Sequence, residues 1–167
     1  IASGGINNTL VGDEAGTAVT LGDRNVAVGK GSLATDTTGN KTTAIGVGAL
    51  ATQLINGDTF NTAVGYAAGN VVTTGTINTL IGGLSGDALT EGNSNVAVGY
   101  GSLTSDTKGD LNVAIGQLAL SAQNFTTSTD SYNTAVGSNA GQGVTTGIRN
   151  TLIGGLAGDA LTGNGFS

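Results

Sequence analysis

The chain has 167 residues and a net charge of −6, and only 10% of its residues are charged. It contains 31 Gly, three Tyr and three Phe, and it has no Pro, Cys, Met, Trp or His. This composition excludes a core of large side chains, disulfide bonds, and catalysis that needs a His base or a Cys nucleophile. There is no basic patch for nucleic acid, and no apolar run approaches the ~18 residues that a membrane span needs.

One five-residue motif recurs nine times, and its spacing organises the chain. Each copy reads N-[T/V]-[A/L]-[V/I]-G, with Thr42 the only departure at the first place, and we number the places one to five. The copies begin at Asn8, Asn25, Thr42, Asn61, Asn78, Asn95, Asn112, Asn133 and Asn150. The sequence numbers of successive copies differ by 17, 17, 19, 17, 17, 17, 21 and 17. A fixed period of roughly 20 residues predicts a solenoid.

The repeats therefore predict an all-β fold, a parallel β-roll or β-solenoid of about nine rungs, each roughly 17–21 residues long. The roll covers residues 8–162. Residues 1–7 are interpreted as a lead-in from a longer chain, and residues 163–167 as a C-terminal end. Nine rungs at ~4.8 Å per strand make a rod roughly 40 Å long.

Each motif fits a short β-strand that is apolar on both faces. Places two and four share one face, and place three, always Ala or Leu, lies on the other. A strand that is apolar on both faces is covered on both, and one coil covers only one, so we predict that another copy of the chain covers the second. The pattern leaves open which face lies on a threefold axis. We treat the Val and Ile of place four as buried and the Ala and Leu face as the inter-chain one, which disfavours an ice-binding role for the Thr of place two.

The Asn of place one is expected to be structural, because stacked amides hydrogen-bond from rung to rung. This predicted ladder comprises Asn8, Asn25, Asn61, Asn78, Asn95, Asn112, Asn133 and Asn150. Glycine stands three residues before the motif in seven rungs, which predicts a turn with positive φ. The exceptions are Asp58 and Asp130, in the two lengthened rungs, where we expect the turn to be rebuilt.

A longer period of four rungs is superimposed on the short one. Leu occupies place three only at Leu10, Leu80 and Leu152, which belong to the first, fifth and ninth rungs. After the strand, the chain continues as G-x-x-[A/S]-G in some rungs and as G-x-x-[S/A]-L in others. We expect these continuations to form the second side of a flattened coil, with a second short strand.

The motif resembles the head repeats of trimeric autotransporter adhesins. It more closely resembles the N-T-A-V-G-Y-x-A-L repeats of phage tail fibres and related bacterial surface fibres, best in Asn61–Tyr66 and Asn95–Leu103. The resemblance implies a homotrimer, a left-handed coil, and a location on a virion tail fibre or on the extracellular or bacterial cell surface. The commonest rung, of about 17 residues, departs from the shorter rung of the adhesin heads. Similarity to fibres with a cleaved endosialidase-type C-terminal chaperone predicts processing after Ser167, as an alternative to a simple boundary.

Two insertions, at 53–60 and 123–132, lie between the third and fourth copies of the motif and between the seventh and eighth copies. Because they lie four rungs apart, we expect them to emerge on one side of the rod, and insertions in repeats often form the binding face. Aromatic rings there, and after the strand glycine, would stack on sugars, while amides and carboxylates would bind hydroxyl groups. The receptor-binding candidates are Asn56, Asp58, Phe60, Tyr66, Tyr100, Asn124, Phe125, Asp130 and Tyr132.

The sequence favours a structural and adhesive distal segment of a trimeric viral tail fibre or surface fibre. Its expected partners are copies of itself and a host cell-surface glycan or protein, without nucleic acid or membrane insertion. No catalytic residue, cofactor or metal is predicted. One alternative is a purely structural spacer. Another is a polysaccharide-acting enzyme or a calcium-binding β-roll, since Gly82–Thr90 partly resembles the calcium nonapeptide but is not repeated in tandem.

Overall fold

A computed structural model describes residues 4–163 of the chain. Within this range the chain forms thirteen short strands and no helix. The strands are β1 (Thr9–Val11), β2 (Val26–Val28), β3 (Thr38–Asn40), β4 (Thr43–Ile45), β5 (Asn56–Asp58), β6 (Thr62–Val64), β7 (Thr79–Ile81), β8 (Val96–Val98), β9 (Gly109–Asp110), β10 (Val113–Ile115), β11 (Thr129–Asp130), β12 (Thr134–Val136) and β13 (Thr151–Ile153). Residues 1–3 of the lead-in and residues 164–167, which include the processing site predicted at Ser167, lie outside the described residues.

The motif strands form one nine-stranded parallel sheet, in the order β1-β2-β4-β6-β7-β8-β10-β12-β13. Equivalent motif places face each other throughout, so that Ala63 pairs with Ala44 on one side and with Leu80 on the other. The two insertions do not shift this register. The predicted parallel β-solenoid of about nine turns is confirmed.

The second side of the coil is built mainly from turns. Backbone hydrogen bonds still join successive rungs there, for example from the Leu33 nitrogen to the Ala49 oxygen at 3.0 Å and from the Gly69 nitrogen to the Ser85 oxygen at 2.9 Å. In the described residues, additional strands form only at the insertions, where β5 pairs with β3 and β11 pairs with β9. The second strand expected in the continuation does not form in the described residues, and the additional strands lie instead just before the motif, as Thr38–Asn40 does.

The Ala and Leu of place three line the coil interior, and the Val and Ile of place four point outward. Ala44, Ala63 and Leu80 are fully buried, whereas Ile81 is 39% exposed and Ile153 is 71% exposed. Our assignment of the Val and Ile side chains to the buried interior was wrong, and so was the inter-chain role given to the Ala and Leu face. Alternation separates two faces of a strand, but the width of the coil decides which face lies inside.

The coil is narrow enough that a large residue on one side requires a small one opposite. A Cβ atom added to Gly86 would lie 2.8 Å from Cδ2 of Leu80. In four of the six rungs with Ala at place three, the opposite side supplies a buried leucine, as Leu33 does opposite Ala27. The fourth and eighth rungs have neither leucine, and a Cβ on Gly69 or Gly141 would lie within 2.9 Å of leucine side chains from both adjacent rungs. This exchange of Leu and Gly explains the four-rung period.

Two sets of glycines allow the rungs to approach closely. The closing glycine of the motif has positive φ, 135° at Gly46, and a Cβ there would lie 2.2 Å from the Gly65 oxygen of the next rung. The glycine three residues before the motif is different. A Cβ on Gly22 would lie 2.3 Å from the Gly39 oxygen, yet Gly22 does not have positive φ.

The prediction of a positive-φ turn at that earlier glycine was wrong. Positive φ falls two residues later, on the residue immediately before the motif, such as Lys41 (60°) and Ile77 (61°). Asp58 and Asp130, expected in rebuilt turns, lie instead in the extended strands β5 and β11. The earlier glycine is needed for contact between rungs rather than for its backbone angle.

Replacing the closing glycine of a motif by alanine should separate the effect of its positive φ from the effect of close contact with the next rung. We expect Gly46→Ala to lower the free energy of unfolding by more than the ~1–3 kcal/mol of backbone strain alone, because its Cβ also meets the next rung. Gly154→Ala has a similar φ of 123° but nothing within 4 Å of the added atom, so it should show the strain alone. Gly163→Ala, without positive φ and with nothing within 4 Å of the added atom, is the neutral control. Thermal unfolding followed by circular dichroism measures all three, and equal losses for Gly46→Ala and Gly154→Ala would contradict the close-approach argument.

Candidate functional site

The Asn side chain of place one ties its rung to the backbone of the next. The Asn25 Oδ1 accepts a hydrogen bond from the Thr42 nitrogen at 2.9 Å, and its Nδ2 donates to the Gly39 oxygen at 2.8 Å. Asn78 makes the same two bonds with Asn95 and Gly92. The ladder is thus mainly amide to backbone rather than amide to amide. Each buried Asn side chain therefore satisfies one backbone N–H and one backbone C=O group that have no backbone partner at the corner of the coil.

A buried polar network accompanies each insertion. Asp36 is 1% exposed, and its carboxylate accepts hydrogen bonds from the Gly39 nitrogen at 2.9 Å and from Gln53 Nε2 at 2.6 Å. Gln53 Oε1 in turn accepts from Asn61 Nδ2 at 2.8 Å. Within residues 4–163, no buried side-chain nitrogen or oxygen lacks a hydrogen-bond partner.

The same network recurs four rungs later, between Asp106, Gln123 and Asn133. Gln123 Nε2 donates to Asp106 Oδ2 at 2.6 Å, and Asn133 Nδ2 donates to Gln123 Oε1 at 2.8 Å. The sequence analysis missed both networks. A sequence signal was available. Asp or Gln stands three residues after each buried leucine of the second side. In the rungs that have Gly in place of that leucine, which we call the Gly rungs, the same position is Val or Leu.

The outward strand face is an apolar surface along the whole rod. It carries the side chains of places two and four, with Val or Ile at every place four. Five of these are more than a third exposed: Val11, Ile45, Ile81, Ile115 and Ile153. The Thr of place two, which share this outward face, are replaced by Val26, Val96 and Val113 in three rungs. The face is therefore more apolar than a regular hydroxyl array.

Two edges flank the strand face. The entry edge consists of the residues immediately before the motif: Asn7, Arg24, Lys41, Phe60, Ile77, Ser94, Leu111, Tyr132 and Arg149. All nine of these residues have positive φ. The exit edge consists of the residues immediately after the closing glycine: Asp13, Lys30, Val47, Tyr66, Gly83, Tyr100, Gln117, Ser138 and Gly155. The exposed aromatic residues of the described chain lie on these two edges.

On the exit edge, the structure places Tyr66 and Tyr100 at the surface, 66% and 55% exposed. They lie two rungs apart with Gly83 between them, and a Cβ on Gly83 would be 3.6 Å from the Tyr100 ring. At the N-terminal end of this edge, Lys30 Nζ lies 3.0 Å from Asp13 Oδ2. This hydrogen bond to Asp13 raises the pKa of Lys30. The edge is therefore charged at one end and aromatic in its middle.

The first insertion places Asn56, Asp58 and Phe60 at the surface. Lys41 of the preceding rung connects two of them. Its Nζ lies 2.5 Å from Asp58 Oδ2 and 4.8 Å from the centroid of the Phe60 ring. The hydrogen bond from Lys41 lowers the pKa of Asp58. The structure thus brings two sequence candidates, Asp58 and Phe60, together around a cation that the sequence analysis had not singled out.

The second insertion exposes Asn124, Asp130 and Tyr132 but not Phe125. Phe125 is only 7% exposed, and its ring lies 3.0 Å from the position of a Cβ on Gly109. It fills space beneath the insertion, so its assignment to a receptor-binding surface was wrong. The Tyr132 hydroxyl lies 3.4 Å from Asp130 Oδ2. With four rungs between the insertions, the two exposed groups lie roughly 19 Å apart.

Other kinds of site find no geometric support in the described chain. Among residues 4–163, no three acidic side chains are placed to hold a metal ion. In the same range no helix is long and apolar enough to cross a membrane. The carboxylates of Asp36 and Asp106 are both buried in the coil and are engaged by backbone and glutamine donors.

Comparison with protein-family models, with curated proteins and with solved structures gave no significant match to this chain. The fold and the surfaces described above therefore carry the functional argument.

The buried Asp36 and Gln53 should be energetically coupled. Asp36→Val leaves the Gly39 nitrogen and the Gln53 amide without their acceptor, which should cost about 2–4 kcal/mol of unfolding free energy. The double variant Asp36→Val/Gln53→Val reproduces the apolar residue found at this place in the Gly rungs. We expect it to lose at least about 1 kcal/mol less than the sum of the two single variants.

Chemical denaturation of the single and double variants measures this coupling. Asp87→Val is the matched control, because Asp87 is half-buried and accepts a bond from the Thr104 hydroxyl, so its loss should stay within about 1 kcal/mol. Strictly additive losses for Asp36 and Gln53 would contradict the coupling.

Proposed function

We propose that this chain is a rigid segment of a homotrimeric fibre, in which three strand faces pack around a common axis. The outward strand face is the observation that carries the proposal. A continuous stripe of Val and Ile along a rod is an unusual surface for a soluble monomer, and such patches mark association sites. The motif resembles the repeats of phage tail fibres and bacterial surface fibres. This resemblance is the basis for proposing three chains and for placing the fibre on a phage tail or a bacterial surface.

The size of the strand face is sufficient for a stable assembly. Nine strands ~4.8 Å apart, each roughly 15–20 Å from entry edge to exit edge, give a surface of roughly 700 Å² per chain. Stable interfaces bury about 600–1,000 Å² per partner, and the strand face falls within this range. The coil interior needs no partner, because Ala and Leu of place three and the opposing Leu residues already fill it. The second chain therefore covers an outer face and leaves each coil intact.

The adhesive part of the proposal is located on the two insertions. Each exposes an Asn and an Asp outside the rung, namely Asn56 with Asp58 and Asn124 with Asp130. Amide and carboxylate groups at the surface can accept and donate hydrogen bonds to sugar hydroxyls. Asn56, Asp58 and Asp130 lie in the short strands β5 and β11, which pair with the preceding rungs and are therefore held in place by the coil. A host cell-surface glycan is the partner that this chemistry fits best.

The solution mass tests the assembly. We expect light scattering to give three times the chain mass of 16.1 kDa. Ile45→Asp/Ile115→Asp puts two carboxylates into the proposed interface and should yield monomers, because an unpaired charge is costly to bury. Leu21→Asp/Leu54→Asp is the matched control, since both leucines are more than half exposed away from the strand face, and it should remain trimeric. A monomeric wild-type chain would refute the proposal.

Glycan binding should depend on the insertions. We expect labelled protein to bind a subset of sugars on a glycan array, and Asn56→Ala/Asp58→Ala together with Asn124→Ala/Asp130→Ala to weaken that binding at least tenfold, about 1.4 kcal/mol. Thr74→Ala/Gln142→Ala alters two exposed polar residues outside the insertions and should bind normally. Normal binding by the fourfold variant would rule out the insertions. A folded trimer that binds no glycan would favour the spacer function.

A further inference from the structure

The two edges of the strand face hold large side chains that the coil itself does not cover. On the entry edge, Phe60, Ile77 and Tyr132 are 52%, 56% and 49% exposed, and on the exit edge Tyr66 and Tyr100 are 66% and 55% exposed. Surface residues of a glycine-rich coil have no structural need for such side chains. Their concentration along two lines requires an explanation.

The backbone of the entry edge makes its large residues more costly. Every residue of this edge has positive φ, and a side chain in this region costs roughly 1–2 kcal/mol unless it is Gly or, to a lesser degree, Asn or Asp. For a β-branched residue such as Ile77, with φ of 61°, this angle is a real outlier. Of the nine entry-edge residues only Asn7 is of a tolerant type. A compensating contact by the large side chains would account for their presence.

The geometry of three packed faces supplies that contact. Faces that pack about 10 Å apart lie about 5 Å from a shared axis, and three such faces form a triangle with sides roughly 17 Å long. This length matches the strand face from entry edge to exit edge, roughly 15–20 Å. The entry edge of one chain then meets the exit edge of the next chain at the same height, because threefold symmetry places equal rungs level with each other.

In four of the nine rungs a large residue at one edge coincides with a small one at the other: Ile77 with Gly83, Ser94 with Tyr100, Tyr132 with Ser138 and Arg149 with Gly155. Phe60 and Tyr66, which are both large, share the fourth rung and would stack as an aromatic pair across the contact. Arg24 and Lys30 share the second rung and would bring two cations together, of which Lys30 is paired with Asp13. In no rung are both edge residues Gly or Ser. Within one chain these partners stand at opposite ends of a strand and cannot touch.

We propose that the entry edge of each chain packs against the exit edge of its neighbour, which forms three aromatic seams along the fibre. This inference rests on the proposed trimer and deepens it, because it identifies the residues that close the assembly. It also assigns Phe60, Tyr66, Tyr100 and Tyr132 to contacts between chains and leaves the polar insertion residues for the receptor. The contact is heterologous and closes after three chains.

Cysteine pairing tests the seams directly, because the native chain has no Cys. Ile77→Cys/Gly83→Cys places one thiol on each edge of the same rung. The two lie roughly 15–20 Å apart within a chain, beyond the 4.4–6.8 Å between Cα atoms that a disulfide needs, so any disulfide must join two chains. Mild oxidation should convert the protein to a covalent trimer on a non-reducing denaturing gel. Ser94→Cys/Tyr100→Cys is an independent second pair.

The control pair is Ile77→Cys/Gln117→Cys. Its two cysteines lie two rungs apart along the fibre, roughly 10 Å, so this variant should not form covalent trimers. Light scattering of each reduced variant separates this inference from the proposed function. If the variants have the mass of a trimer but neither same-rung pair forms a crosslink, the proposed seams are wrong and the proposed trimer is retained. Monomers by mass would overturn both. Equal crosslinking of the control pair would overturn the level alignment of the edges.

Discussion

The narrow interior of the coil is the constraint on which the rest of the structure depends. With Ala at place three there is room for one Leu from the second side, as between Ala27 and Leu33. With Leu at place three the second side is reduced to Gly, as between Leu80 and Gly86. Only Ala or Leu occupies the inward place three, and the Val and Ile of place four lie on the outward face of the same strand. The same narrowness that closes each coil thus creates the apolar outer face from which an assembly can be built.

Register is maintained by hydrogen bonds that run along the rod. Every Asn of place one except Asn150, in the last rung, bonds to the backbone of the following rung. The Asp36–Gln53 and Asp106–Gln123 pairs add buried contacts between neighbouring rungs. Similar rungs could otherwise exchange places at little cost. Apolar residues occupy the same place in other rungs, so the polar pairs mark particular rungs as unlike their neighbours. Buried polar groups that specify alignment have precedent in coiled coils.

The repeated motif predicted the architecture well because its information is local. The alternation within N-[T/V]-[A/L]-[V/I]-G indicates a strand, and the nine copies at a near-constant spacing indicate parallel stacking. What the sequence left undecided depends on distances across the coil. Both strand faces are apolar, so only the interior width could show that Ala63 is inside and Val64 outside. Phe125 was assigned to the surface because it lies in an insertion, but the missing side chain of Gly109 leaves a space that its ring occupies. The Asp36–Gln53 contact joins two successive rungs, so its sequence signal shows only when the same place is compared from rung to rung.

The four-rung alternation of Leu and Gly has a consequence for how such a fibre can change in length. Removing or adding a single rung would place mismatched volumes against each other and would separate a buried Asp from its Gln. A cassette of four rungs carries its own leucines, its own polar pair and its own insertion, so it can be duplicated or lost without altering the contacts at either junction. A fibre with this fold is therefore expected to change in length by whole blocks of four rungs, each roughly 19 Å long. Each unit that is added brings one more loop to the surface.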